Sequence, residues 1–297
     1  MAKISIVTPS YNMADFIETT LLSVITQNNV DLEYIVVDGM STDKTSKILD
    51  QYGKSISHVI CEEDEGQYYA IKNGFSISTG EIMGWINADD IYMPWTLSVV
   101  SEIFDSHDDV DWIIGNPGFI NERGQYIAVH GKLASYPRQY IQNGWYRQHL
   151  AGYLQQESMF WRRRLWEKAG GLDLSLNLAA DFKLWVNFAK YADLFPVNIP
   201  LAAFRKRPGQ QRSSLHSNKY NEEVFSVCKD LPPPPLLWNK LSSLGKVHSS
   251  VARAIKFHKT RILSYSDIRQ SWVKESMRLS ISRVHMTNLI LEYMKQS

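Results

Sequence analysis

Five short apolar runs, rich in β-branched residues and separated by stretches of helical spacing, constrain this chain more than any other feature. They are Ile4-Ser5-Ile6-Val7, Tyr34-Ile35-Val36-Val37, Ile56 to Cys61, Ile82-Met83-Gly84-Trp85-Ile86 and Asp111 to Ile114. Each has the length of a strand and ends in turn residues. Between the first two, Asp15 is placed to cap a helix on which Phe16, Thr19, Leu22, Ile25 and Thr26 recur at spacings of three and four. Ser41-Thr42-Asp43-Lys44-Thr45 opens a second helix, and Gln67 to Phe75 reads as a third. Strands alternating with helices predict an α/β protein: a Rossmann-like, mostly parallel sheet flanked by helices on both faces. In such sheets ligands collect beyond the carboxyl ends of the strands.

Three successive strands end in acid: Asp38, then Asp64, then the adjacent pair Asp89 and Asp90. Right-handed crossovers place these ends on one edge of the sheet, so the acids converge there. Two carboxylates at the mouth of the apolar run Ile82–Ile86 repel each other and lose water unless a cation neutralises them. Oxygen ligation by one or two carboxylates, completed by water and phosphate, is how Mg²⁺ or Mn²⁺ is held on a nucleotide. A loop of carboxylates repels bare phosphate, which favours phosphate bound through a metal. Helix N-capping accounts for any one of these acids singly.

The chain has 297 residues, 44% of them apolar and 21% charged, which is ordinary globular material for one large domain or two. No apolar run approaches the ~18–20 residues of a membrane span, and Met1-Ala2-Lys3 leads directly into a strand. The expected location is therefore the cytoplasm. Cys61 and Cys228 stand far apart and imply neither disulfide framework nor zinc site. The net charge of +1 hides an asymmetry, because residues 218–297 carry 13 Lys and Arg against 6 Asp and Glu. A basic tail on an acidic body suggests peripheral contact with an anionic membrane on the inner face of the plasma membrane; a solvated helical face explains it equally. Nothing points to nucleic acid. No G-x-G-x-x-G opens a helix, which sets aside a dinucleotide enzyme. Thr8 to Asn12 lacks glycine and Lys or Arg, which disfavours a sugar-phosphate nucleotidyltransferase.

Taken together, Thr8-Pro9-Ser10-Tyr11-Asn12, Val37-Asp38-Gly39 with Ser41-Thr42-Asp43, Asp64-Glu65-Gly66-Gln67 with Ala70, Lys72-Asn73-Gly74, and Asn87-Ala88-Asp89-Asp90 resemble the successive signatures of family 2 glycosyltransferases with the GT-A fold. The resemblance covers roughly residues 1–215. It implies a nucleotide-diphospho-sugar donor, a UDP-sugar. Thr8, Pro9, Tyr11, Asp38, Asp64, Gly66, Lys72 and Asn87 are implied around the nucleotide, and Asp89 and Asp90 are implied as ligands of Mn²⁺ or Mg²⁺. Many members carry Asp where this chain has Asn87, so ligation is expected of the pair. The implied reaction is inverting transfer to a hydroxyl of a lipid-linked glycan in surface polysaccharide synthesis (O-antigen, capsule or exopolysaccharide). A non-catalytic sugar- or nucleotide-binding protein on the same fold is the alternative.

The resemblance also implies two halves within residues 1–217: a nucleotide-binding half, 1–116, and an acceptor-binding half, 117–217. In the second, Asn121-Glu122-Arg123-Gly124 reads as a hairpin turn. Gln156 and Glu157 match the border of the acceptor site, and Arg162-Arg163-Arg164 follows as a basic turn that is either solvated or set against lipid diphosphate. Asp181 lies at the start of a helix with Phe182, Trp185, Val186 and Ala189. It reads as an N-cap, as a partly desolvated base, or as both, and it matches the family position that deprotonates the acceptor. Arg205 and Arg207 lie on a basic Gly- and Pro-containing loop suited to diphosphate. The family often has His at 207; an Arg there suits phosphate and not metal. The prolines of Leu231–Trp238 read as a linker, and residues 241–295 as a basic helical C-terminal extension that packs on the body or lies on a bilayer with Trp238 and Trp272 at the interface.

Overall fold

The computed structural model describes residues 1–129, 136–147, 152–207, 216–234 and 258–279. β1 (Ile4–Ser10), α1 (Ile17–Ile25), β2 (Leu32–Asp38), α2 (Thr45–Tyr52), β3 (His58–Cys61), α3 (Gln67–Ile77) and β4 (Ile82–Trp85) alternate as expected. They are followed by β5 (Ile91–Tyr92), α4 (Thr96–Ser106), β6 (Trp112–Ile114), β7 (Gly118–Ile120), β8 (Tyr126–Val129) and α5 (Arg138–Gln142). Then come β9 (Met159–Arg162), α6 (Arg163–Ala169), α7 (Ala180–Phe188), β10 (Leu194–Pro196), β11 (Ala202–Arg205), α8 (Ser217–Cys228), β12 (His258–Ser266) and β13 (Ser271–Leu279).

The central sheet has the order β10-β6-β9-β4-β1-β2-β3. β4, β1, β2 and β3 run parallel, while β9 is antiparallel to both its neighbours. A smaller sheet, β5-β11-β7-β8, stands beside it, with the turn at Asn121–Gly124 joining β7 to β8. The period of two along each central strand divides the core. Ile6 and Val36 face one apolar layer with α1 and α4, and Val7, Val37 and Trp85 face the other with α3 and α7. Gly74 permits the close approach of α3, since a Cβ there would lie 2.7 Å from Val7.

An indole cluster seats α7 on the sheet. Trp185 stacks on Trp85 at 5.6 Å and meets the edge of Trp161 at 5.7 Å, contacts worth ~0.5–1.5 kcal/mol each beyond the area they bury. Trp185 lies one turn beyond Asp181, so the sheet fixes the helix that carries it.

Three expectations are corrected. The buried stripe of α1 is Ile17, Thr20, Leu21 and Val24, whereas Leu22 is exposed; the aliphatic run offered two faces, and contact with the sheet chose one. Arg162 to Arg164 do not face lipid diphosphate: Arg162 is buried and ion-paired to Glu81, Arg163 donates to Gly80 O, and Arg164 pairs with Asp111. The helical extension fails over residues 258–279, which form the antiparallel hairpin β12–β13. Its strands carry Ile262, Tyr265, Trp272 and Val273, residues that suit a pleated surface, and Tyr265 meets Trp272 across the strands at 5.8 Å. The hairpin packs beside β10: Asn198 N donates to Leu263 O, and Leu263 and Trp272 enter the core. Leu231 to Pro234 also lie against the body, Trp145 Nε1 donating to Pro232 O at 3.1 Å. The helical expectation for 241–257 and 280–295, with Trp238, falls outside the described residues.

Candidate active site

The first turn of α3 is the hub of the carboxyl edge. Gly66 precedes it with φ 125°, a backbone conformation open to glycine. Gly66 N donates to Asp64 Oδ1 at 2.8 Å, Gln67 Nε2 to Asn87 Oδ1 at 2.6 Å, and the Tyr68 hydroxyl lies 2.9 Å from Asp181 Oδ1. One turn of helix thus touches the acid after β3, the loop after β4 and the carboxylate on α7. Asp38, Asp89 and Asp181, although distant in sequence, belong to elements that this turn and the sheet tie together.

On the β1–β2 side, Asp38 is buried and accepts Ser41 N and Oγ at 2.8 and 2.6 Å. Asn12 and Ser41 staple this turn to the end of β1, Asn12 N donating to Ser41 Oγ and Thr42 N to Asn12 Oδ1. Gly39 sits directly under Asp64, where a Cβ would lie 3.0 Å from Asp64 Oδ2. Thr8 and Pro9 are buried at the end of β1, with the Thr8 hydroxyl 3.0 Å from that of Tyr34. Tyr11 and Lys72 are exposed.

Asp89 and Asp90 occupy different environments. Asp90 has no exposed surface, and its two oxygens accept Arg205 N at 2.8 Å and Asn87 Nδ2 at 3.2 Å. Burial, followed by the charges of Asp89 and Glu157, pushes its proton affinity far above the carboxylate range. Asp89 pairs with the Arg207 guanidinium at 2.7 Å. The expectation that both acids are ligands narrows accordingly. Asp90 holds β5 to β11, and Asp89 is the member whose chemistry fits a divalent cation completed by diphosphate and water. Among the described residues no group of three or more His, Cys, Asp or Glu is arranged around a metal position.

Arg205 is also a scaffold residue. It is buried, with Nε donating to Asp89 O at 2.6 Å, Nη1 to Asn121 O and Glu122 O, and Nη2 to Thr19 Oγ1. A guanidinium committed to these carbonyls serves the loop and not a ligand, which corrects the diphosphate role expected of it. Arg205 and Arg207 both lie over the Phe16 ring, at 5.2 and 5.1 Å, and Arg207 is the cation of the pair that lies at Asp89. Residues 208–215 of the basic loop lie outside the described residues.

A short 3₁₀ turn, Gln156–Ser158, precedes β9 and brings two side chains under the loop after β4. Gln156 Nε2 donates to Trp85 O at 2.6 Å, fixing the end of β4. Glu157 is buried with one oxygen lacking a hydrogen-bond partner. Burial, with a contribution from Asp89, pushes its pKa up to about 8. Asp181 accepts Phe182 N at 2.8 Å as well as facing Tyr68. Burial raises its proton affinity, and these two hydrogen bonds hold part of that rise back. Tyr68 and Glu223, whose carboxylate binds the entry of α7, escape a reading of the sequence, and Gln67 enters it only as the last residue of Asp64-Glu65-Gly66-Gln67; Tyr68 had a signal as the aromatic directly after that motif.

Comparison with known proteins identifies the family and the fold. The family model described as "Glycosyl transferase family 2" matches residues 5–167, more than half of the chain. An uncharacterized glycosyltransferase of Nostoc sp. is 31% identical over 129 residues, which cover 40% of each chain. TuaG of Bacillus subtilis, named for teichuronic acid biosynthesis, is 39% identical over 90 residues, 29% of this chain and 36% of its own. The chain thus spans about two fifths of the curated relatives it matches. Among solved structures, S. aureus TarS in complex with UDP-GlcNAc superposes with a TM-score of 0.60 at 17% identity, over 82% of this chain and 71% of that one. The mannosyltransferase PcManGT of Pyrobaculum calidifontis, in complex with GDP-Man and Mn²⁺, gives 0.55 at 18%, over 82% and 68%. These likenesses are of fold, the GT-A type. The match over residues 5–167, on a sheet whose strand ends gather the acids of the motifs, places this chain in glycosyl transferase family 2.

Proposed function

We propose that the chain is an inverting, metal-dependent glycosyltransferase that moves a sugar from a UDP-sugar to a hydroxyl of a lipid-linked glycan in surface polysaccharide synthesis. The observation that carries this reading is the junction at α3, whose first turn touches Asp64, Asn87 and Asp181 within hydrogen-bond distance. The names of TuaG and of TarS, solved with UDP-GlcNAc, support the substrate class.

Asp181 is the base. Its carboxylate takes the proton of the acceptor hydroxyl, and the freed oxygen attacks the anomeric carbon on the face opposite the diphosphate, breaking that bond and inverting the centre. Tyr68 and the Phe182 N–H hold the carboxylate in place. Burial raises its appetite for a proton, as base catalysis requires. Asp89 would hold Mn²⁺ or Mg²⁺, which when bound neutralises charge on the departing diphosphate. Arg207, already at Asp89, adds a cation beside it. Asp38 and Asp64 shape the nucleotide side, and Gln156 and Glu157 the acceptor side. Among the described residues no helix is long and apolar enough to cross a membrane.

The test is Asp181→Asn, assayed for UDP release from UDP-glucose, UDP-galactose and UDP-N-acetylglucosamine with Mn²⁺, together with titration of the same donors. Base catalysis is worth ~10²–10⁴-fold, so turnover should fall by that factor while donor affinity stays within about twofold. Retained turnover overturns the assignment. Tight donor binding with no turnover in the parent chain favours the non-catalytic alternative.

A further inference from the structure

α8 reaches the helix that bears Asp181 by two routes. Val224 packs with Ala179, Phe182 and Val186 in a small apolar cluster. Glu223, the preceding residue, turns Oε2 to the main chain at the entry of α7, where Leu178 N and Ala179 N donate to it at 2.8 and 3.0 Å. Amides at a helix entry have no acceptor within the helix, and a carboxylate there is favoured by the helix dipole. Ala179, in the cap position, offers no side-chain acceptor, and the capping oxygen therefore comes from another helix. Asp181 cannot serve these amides with Oδ1, which accepts Phe182 N and faces Tyr68.

We propose that Glu223 is a positioning residue for sugar transfer: it clamps the two amides that launch α7 and so fixes where the Asp181 carboxylate stands. The inference rests on Asp181 being the base. Glu223 acts also through its charge, which adds to burial in raising the proton affinity of Asp181, against the opposing hydrogen bonds from Phe182 N and Tyr68. Tyr68 on α3 and Tyr220 on α8 are the other titratable groups that face Asp181. On α7 itself Lys183 is engaged by Asp173, and Arg138 from α5 binds the far end of the helix at Ala189 O and Lys190 O. Both cations carry donors only, so neither could replace the Glu223 carboxylate as acceptor at the entry.

Two variants separate the clamp from the charge. Glu223→Gln keeps an oxygen for the amides but carries no charge, and Glu223→Ala keeps neither; the Val224 cluster holds α8 in both. The readouts are the pH profile of kcat/KM, kcat and donor KM for the UDP-sugar that is turned over, with the thermal midpoint as the check on folding. The Gln variant should fold with unchanged donor KM, and the acid limb of its profile should move to lower pH. The Ala variant should lose about tenfold in kcat at unchanged donor KM, as misplacement of a catalytic group does. Profiles and kcat equal to the parent in both variants, with Asp181→Asn silent, overturn the inference and leave the base assignment standing. If Glu223→Gln loses kcat with an unmoved acid limb, the charge has no part and the inference fails in that half. An active Asp181→Asn removes the base reading and this inference with it.

Discussion

Asp181 shows why a residue's role depends on what surrounds it. Its carboxylate is partly buried, which favours the neutral acid, and is hydrogen-bonded by Tyr68 and Phe182 N, which favours the ion. Tyr68→Phe removes one of the ion's partners, so the acid limb of the pH profile should move up, opposite to Glu223→Gln. A hydrogen bond of ~1 kcal/mol implies a loss of about fivefold on the acid side of that limb; an unmoved limb in pH-rate measurements contradicts the contact. Glu157 gives a prediction about stability. Its folded pKa of about 8 lies above the ordinary 4.5, so its protonated form stabilises the fold fully below 4.5, and that contribution is lost as pH rises through 8. Glu157→Gln should therefore flatten the decline in thermal midpoint between pH 5 and 8, roughly the window between those two values. Equal slopes in parent and variant would show that Glu157 ionises normally.

At the scale of elements, the loops that end β1 to β4 touch one another and the first turn of α3. Gly39 lies under Asp64 with no room for a side chain, since a Cβ there would stand 3.0 Å from Asp64 Oδ2. Gly39→Ala should push the Asp64 carboxylate aside and weaken UDP binding on the order of tenfold, 1.4 kcal/mol, with little change in unfolding; calorimetric titration measures it. Arg205 joins β11 to the loop after β4, to the β7–β8 turn and to α1. Arg205→Met removes all of these at once and leaves partly buried carbonyls without their donor, a cost of ~1–3 kcal/mol, which chemical denaturation should register as lost stability. The alternation of strand and helix made the parallel half of the sheet legible, because the period of two and the period near four are local. The antiparallel β9 between β4 and β6 was not legible, since pairing between strands about 80 residues apart leaves no local mark.

For the whole molecule the C-terminal hairpin is the instructive part. Leu263 and Trp272 are buried, Trp272 Nε1 faces Glu102, and Lys274 pairs with Asp109. Trp272→Ala should cost ~3–5 kcal/mol, in the range of large aromatic deletions, read as a fall in the denaturation midpoint; a neutral outcome would mean that the hairpin is not docked in solution. The sequence by itself determined the α/β class, the acids at three strand ends and the position of Asp181 at a helix start, because strand ends, caps and turns are written in neighbouring residues. It could not separate Asp89 from Asp90 or Arg205 from Arg207, since the members of each pair stand side by side or nearly so in the chain. Burial divided them: Asp90 and Arg205 were taken into the scaffold, and Asp89 and Arg207 were left at its mouth. Only the tertiary structure brought Tyr68, Gln67 and Glu223 to their partners, because a hydrogen bond across twenty residues or more depends on the packing of whole elements and not on any local pattern.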